Sequence, residues 1–122
     1  MKVRLETIVD AMRAMAVFAQ KELPAKAAYR VAKLVRKMTD EHRDFEKARF
    51  EAAKRLGDKD EKSDTYKVKP ENAEAFGAEM QALLDEEVDL EGCTMINFSD
   101  IEKLELAPAV LADLESFIEA PK

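Results

Sequence analysis

Pro24 is followed by no further proline and no glycine until Gly57. Proline suits the first position of a helix, whose amide needs no partner, and glycine suits the position just past a helix end. The stretch 24–56 therefore reads as one helix, about 50 Å long at about 1.5 Å per residue. Within it Ala28, Val31, Val35, Met38, His42, Phe45, Arg49, Ala52 and Leu56 alternate at spacings of three and four, a heptad-like stripe interrupted by His42 and Arg49. A helix of that length cannot bury such a stripe by itself. Everything else in the chain must help to cover it, or a second copy must. Val31, Val35, Met38, His42 and Phe45 are accordingly the candidate self-association seam of a homo-oligomer.

The remaining segments supply the covers. Residues 2–5 alternate polar and apolar as a short strand does. From residue 6 the period changes, and Leu5, Ile8, Met12, Met15 and Ala19 mark an amphipathic helix over 6–22. Residues 57–65 carry six charges and little that is apolar, which predicts a mobile loop. Tyr66 and Val68 suit a brief extended segment. Pro70 then opens a helix over 70–86, with Glu71 and Glu74 where the helix dipole favours acids, and with Ala73, Phe76, Met80, Leu83 and Leu84 as its apolar stripe. This helix is expected to fold back on the second half of the long one. Strands over 87–90 and 94–98, separated by Gly92, suggest a small hairpin able to pair with residues 2–5. Ser99 and Glu102 have capping-box spacing for a helix over 99–104, and Pro108 begins a helix over 108–119. The expectation is one domain over 1–122, mainly α with a small β element (α+β). A long central helix in a helical hairpin is flanked by shorter helices and a short hairpin. A chain of 122 residues matches one domain of ordinary size.

Charge divides the chain. The net charge of -6 averages a first half that is basic, with 16 Lys and Arg against 11 Asp and Glu through Lys62, and a second half with 4 against 15. That balance makes general nucleic-acid binding an unfavoured role, since phosphate backbones are held by net basic surfaces. Locally the long helix is different. Lys26, Arg30, Lys33 and Lys37 are spaced four, three and four apart, Arg36 lies beside them, and no acid occurs between Leu23 and Thr39. Like charges stacked on one helix face repel one another, so the row is either an ordinary solvated face or one whose charge a partner offsets. That partner is the acidic half of the chain, an acidic protein or an anionic small molecule bearing phosphate. Tyr29 stands close enough to stack on a ring. Lys26, Tyr29, Arg30, Lys33, Arg36 and Lys37 are the candidate anion- or partner-binding residues.

Catalytic signatures are missing from the sequence. Three glycines in all leave no nucleotide-binding loop. One histidine and one cysteine cannot build an ordinary zinc site or an internal disulfide. His42 sits on the seam and reads as structural. Cys93 has no basic neighbour to activate it and reads as a small apolar residue. Asp85, Glu86, Glu87, Asp89 and Glu91 form the densest acidic cluster, without the spacing of a calcium loop. No cofactor, metal or enzyme activity is expected. The longest uncharged run, 92–99, is far too short for a membrane span, and residues 1–20 lack the apolar core of a secretory signal.

The run Leu23-Pro24-Ala25-Lys26-Ala27-Ala28-Tyr29-Arg30-Val31-Ala32-Lys33-Leu34, followed by Phe45-Glu46-Lys47-Ala48-Arg49, resembles the opening of the long helix in a group of small, mostly helical bacteriophage and prophage proteins of unknown function. Pro70-Glu71-Asn72, Leu83-Leu84 with Glu86-Glu87-Val88, and Leu106-Ala107-Pro108 through Phe117-Ile118-Glu119 are similar in the same order. The resemblance implies a phage or prophage origin, and action in the host cytoplasm. The expected function is that of a non-enzymatic accessory protein binding itself or another phage protein in assembly. The alternative is a host-directed inhibitor that blocks a host protein or sequesters a phosphate-bearing signal molecule.

Overall fold

A helix of 32 residues is the axis of the computed structural model, which describes residues 1–119. In chain order the elements are β1 (Lys2–Arg4), α1 (Leu5–Phe18), α2 (Ala25–Leu56), β2 (Gly57–Lys59), β3 (Tyr66–Val68), α3 (Ala73–Leu84), β4 (Glu87–Asp89), β5 (Ile96–Asn97), α4 (Phe98–Ile101), α5 (Pro108–Asp113) and β6 (Ile118–Glu119). Three two-stranded sheets decorate a mainly helical α+β fold.

Helix α2 starts where proline allows and stops where glycine is needed. Pro24 precedes it, and the Pro24 carbonyl accepts the Ala28 amide at 2.8 Å. At the other end Gly57 is extended (φ -143°), a conformation open to any residue. Its lack of a side chain serves a close approach instead, because a Cβ there would lie 2.1 Å from the Lys67 carbonyl oxygen. The crossing strand β3 runs antiparallel to β2, with Gly57 opposite Val68. Just beyond it, the Lys69 amide (3.2 Å) and the Asn72 side-chain amide (2.9 Å) donate to the Leu56 carbonyl at the helix end. The expected loop over 57–65 is thus corrected: its first three residues are a strand, and only 60–65 connect. Charge density hid the pairing, since Asp58, Lys59 and Lys67 are exposed and only Gly57, Tyr66 and Val68 are half-buried.

Helix α1 lies on the N-terminal half of α2 and ends at Phe18, short of the expected 22. Residues 19–21 turn, with the Lys21 amide donating to the Phe18 carbonyl at 3.0 Å. Pro24 disfavours helical geometry at Leu23, and the chain needs this turn to reverse into α2. Ile8, Ala11, Met15 and Phe18 from α1 meet Val31, Leu34 and Met38 from α2, while Leu90, Ile96, Leu114 and Phe117 close the main core from the other side. A second, smaller core holds Leu5, Phe45, Ala52 and Met80, where α3 lies against the second half of α2 as the expected helical hairpin.

The small strands pair differently from the simplest expectation. Strand β4 does join β1, antiparallel with Val3 opposite Val88. Strand β5 instead pairs in parallel with β6, so residues 87–90 and 94–98 form no hairpin with each other. Leu90 and Ile96 are both buried in the main core, and the turn at Gly92 carries the chain across it. Helix α4 begins at Phe98, with Asn97 in the capping position and no side-chain cap, so Ser99 lies inside the helix rather than capping it. The expected helix over 108–119 ends at Asp113. A tighter turn over Glu115–Phe117 follows, which brings Leu114 and Phe117, three residues apart, into the core together.

Two substitutions test this packing. Met38 is fully buried, so Met38→Ala is expected to cost about 2–5 kcal/mol in urea unfolding. Gly57→Ala forces a Cβ onto backbone and is expected to cost about 1–3 kcal/mol, with amide exchange accelerated in β2 and β3 before the rest of the chain.

Candidate partner-binding face

At 3.6 residues per turn, Lys26, Arg30, Lys33 and Lys37 fall in one row along α2, about 16 Å long. Tyr29 and Arg36 flank the row on one side, two turns apart from each other. Lys26, Tyr29, Arg30, Arg36 and Lys37 are exposed and Lys33 is half-buried, with Tyr29 the most open large apolar side chain described, at 70%. The structure brings all six sequence candidates onto one surface. None of the five cations has a carboxylate within 4.0 Å among the described residues. Helix α2 also has no acid in its first turn. Stacked like charges and cations at the positive end of the helix dipole both disfavour this arrangement in the isolated helix.

The neighbours of the row are specific. The Lys33 side chain crosses the turn at Gly92, where an added Cβ would lie 3.0 Å from Nζ. Gly92 has φ +77°, in the left-handed region that glycine tolerates best, so conformation and space both favour glycine there. Arg30 shares a narrow cleft with Met95 and Asp100, without an ion pair. After Lys37 the same face of α2 changes sign, with Asp40, Glu41 and Asp44 following. Asp40 is paired with Arg43 at 3.4 Å.

On the flank carrying Tyr29 and Arg36, a groove of about 310 Å³ opens between the end of α1 and α2. Phe18, Leu23, Val31 and Val35 are among its apolar lining, Lys21 and Arg36 are its charged residues, and no acid lines it. Sequence reasoning missed Lys21. Its place depends on α1 stopping at Phe18 and turning, which the helical periodicity through Ala19 did not signal. A larger, more open groove of about 810 Å³ lies between α2 and α3 over Ala52, Met80 and Leu83, but its rim mixes Glu51, Glu79 and Glu86 with Lys54 and Arg55. There Arg55 donates to Glu79 at 2.5 Å, which raises the guanidinium pKa further.

The other sequence candidates have structural places. The seam residues Val31, Met38 and Phe45 are buried inside the chain itself, and Val35 and His42 are half-buried. The proposed self-association seam is corrected accordingly, because its apolar side chains cover this chain's own cores. His42 Nε2 lies 3.7 Å from Glu46 one turn on. Cys93 is a buried free thiol in the main core. The acidic cluster is partly tied to β1: Lys2 pairs with Glu87 at 3.8 Å, and Arg4 bridges Asp85 and Glu6. Thus Asp85, Glu87 and Asp89 pair with Arg4, Lys2 and the Met1 amine of the N-terminal segment and not with the basic row. Among the described residues no group of three or more His, Cys, Asp or Glu is arranged to hold a metal ion. No described helix is long and apolar enough to cross a membrane. No family model, curated protein or solved structure matches this chain.

A hydrogen bond from Gln81 (2.9 Å), and then the Arg4 guanidinium, hold the Asp85 carboxyl below its ordinary pKa. A lowered folded-state pKa stabilises the fold above the unfolded value and is lost as pH falls through the folded one. Stability is therefore expected to decline on acidification below the usual carboxylate range, and Asp85→Asn to flatten that part of the pH profile in urea unfolding.

Proposed function

We propose that this is a non-catalytic binding protein whose basic row on the N-terminal half of α2 takes an acidic surface of another protein. The observation that supports it best is five cations held together without a single intrachain ion pair among the described residues. A bounded protein footprint suits the row better than a polyphosphate chain. The same helix face turns acidic within one turn of Lys37, which would repel a phosphate backbone continuing along it. A convex helix face also lacks the enclosure that small-ligand sites use, so an anionic small molecule is the weaker reading. Exposed Tyr29 beside Arg30 and Arg36 adds two of the residue types enriched among the hot spots of protein interfaces. In the setting that the sequence resemblance implies, the protein is a bacteriophage accessory factor working in the host cytoplasm on a phage or host protein, without a cofactor.

The test compares poly-L-glutamate with duplex DNA by fluorescence anisotropy at low salt. The acidic polypeptide is expected to bind more tightly, and Lys33→Glu with Lys37→Glu to weaken it by about tenfold or more, about 1.4 kcal/mol. The double variant should stay within about 1 kcal/mol of the parent in stability, because Lys37 is exposed and half-buried Lys33 makes no ion pair among the described residues. Tighter binding of DNA, or an unchanged affinity in the double variant, would overturn the proposal.

A further inference from the structure

Resting on that reading, we infer that the groove between α1 and α2 seats an acidic amphipathic helix of the partner, so that recognition is by helix insertion and not by charge alone. The groove adjoins the basic row along one flank of α2. Around the helix the order is Lys33 in the row, then Tyr29 and Arg36, then Ala32, then Val35 at the groove floor. A ligand that inserts an apolar ridge over Val35 and Phe18 therefore presents its neighbouring positions to Arg36 on one side and to Lys21 on the other. That arrangement fits an amphipathic helix with apolar residues at three- and four-residue spacing and acids flanking them.

Three further observations narrow the occupant. The charged residues lining the groove are both cations, Lys21 and Arg36, and neither has a carboxylate within 4.0 Å among the described residues, so acidic flanks are complementary and basic flanks are repelled. Ala32 contributes only a methyl to the wall beside Arg36, which lets a second helix approach closely. The α2–α3 groove differs in the decisive respect. Its rim carries acids and cations together, with Arg55 already paired to Glu79, so it selects no charge.

The probes are three synthetic peptides of about 20 residues, long enough to hold a helix. One has a leucine ridge flanked by glutamates, the second replaces the glutamates by lysines, and the third keeps the glutamates but carries two central prolines. The glutamate helix is expected to bind at least about tenfold more tightly than either of the others, about 1.4 kcal/mol. Its amide shift perturbations should concentrate at Ala28, Ala32, Val35 and Arg36. Ala32→Trp fills the groove from an exposed position and should weaken the glutamate helix by at least about tenfold, the same 1.4 kcal/mol, while leaving poly-L-glutamate bound as before. Arg36→Glu should weaken the glutamate helix and improve the lysine helix.

Equal affinity for the helical and proline-broken glutamate peptides would overturn the groove inference while leaving the basic row standing. An unaltered affinity in Ala32→Trp would overturn it too. Failure of every acidic probe would overturn the row and the groove together. Concentration-dependent dimers in sedimentation that Ala32→Trp abolishes would overturn it in favour of a second copy as the occupant.

Discussion

The burial of one helix's apolar stripe organises this molecule. A single helix of 32 residues has far more apolar edge than one neighbour can cover, and the chain answers with two covers placed end to end. Helix α1 and the C-terminal segments enclose the first half, and α3 encloses the second. The small sheets follow from this. Strands β2 and β3 reverse the chain so that α3 can return, and β1 pairs with β4 where α1 begins and α3 has ended. None of these sheets is large enough to be stable alone, and each is held in place by the helices it connects.

Electrostatics follows a different plan from packing. The acidic half of the sequence does not neutralise the basic half in bulk. Its acids at 85 and 87 are engaged by Arg4 and Lys2, while four of the five cations of α2 between 26 and 37 are exposed and Lys33 is half-buried. The stability cost of leaving them so is modest, since exposed charges in water interact weakly, and that is what allows such a surface to exist without dismantling the fold.

The sequence foretold the long helix almost to the residue, because proline and glycine bracket it and its periodicity is sustained. It also foretold the row of cations, which depends only on spacing within one helix, and the hairpin with α3, whose apolar stripe follows the matching stripe of α2 closely in the chain. Elements set by long-range contacts were harder to read. Strand β2 was hidden by Asp58 and Lys59, the parallel pairing of β5 with β6 joins residues far apart in the chain, and the last helix yields to a tight turn because Leu114 and Phe117 both need the core. The stripe through Val31, Met38 and Phe45 was legible as apolar, but apolar spacing alone does not distinguish a core from an interface. The groove was illegible for a related reason: it exists only because α1 stops at Phe18.

Lys33 shows how far the basic row is from being a property of one helix. Its ammonium occupies space that a side chain at position 92 would claim, and that position belongs to the acidic half of the chain. The central charge of the surface is thus located by an atom that is missing from a turn elsewhere. Any residue other than glycine there would push the ammonium outward and reshape the field that an approaching partner meets, with no change in the number of charges on α2.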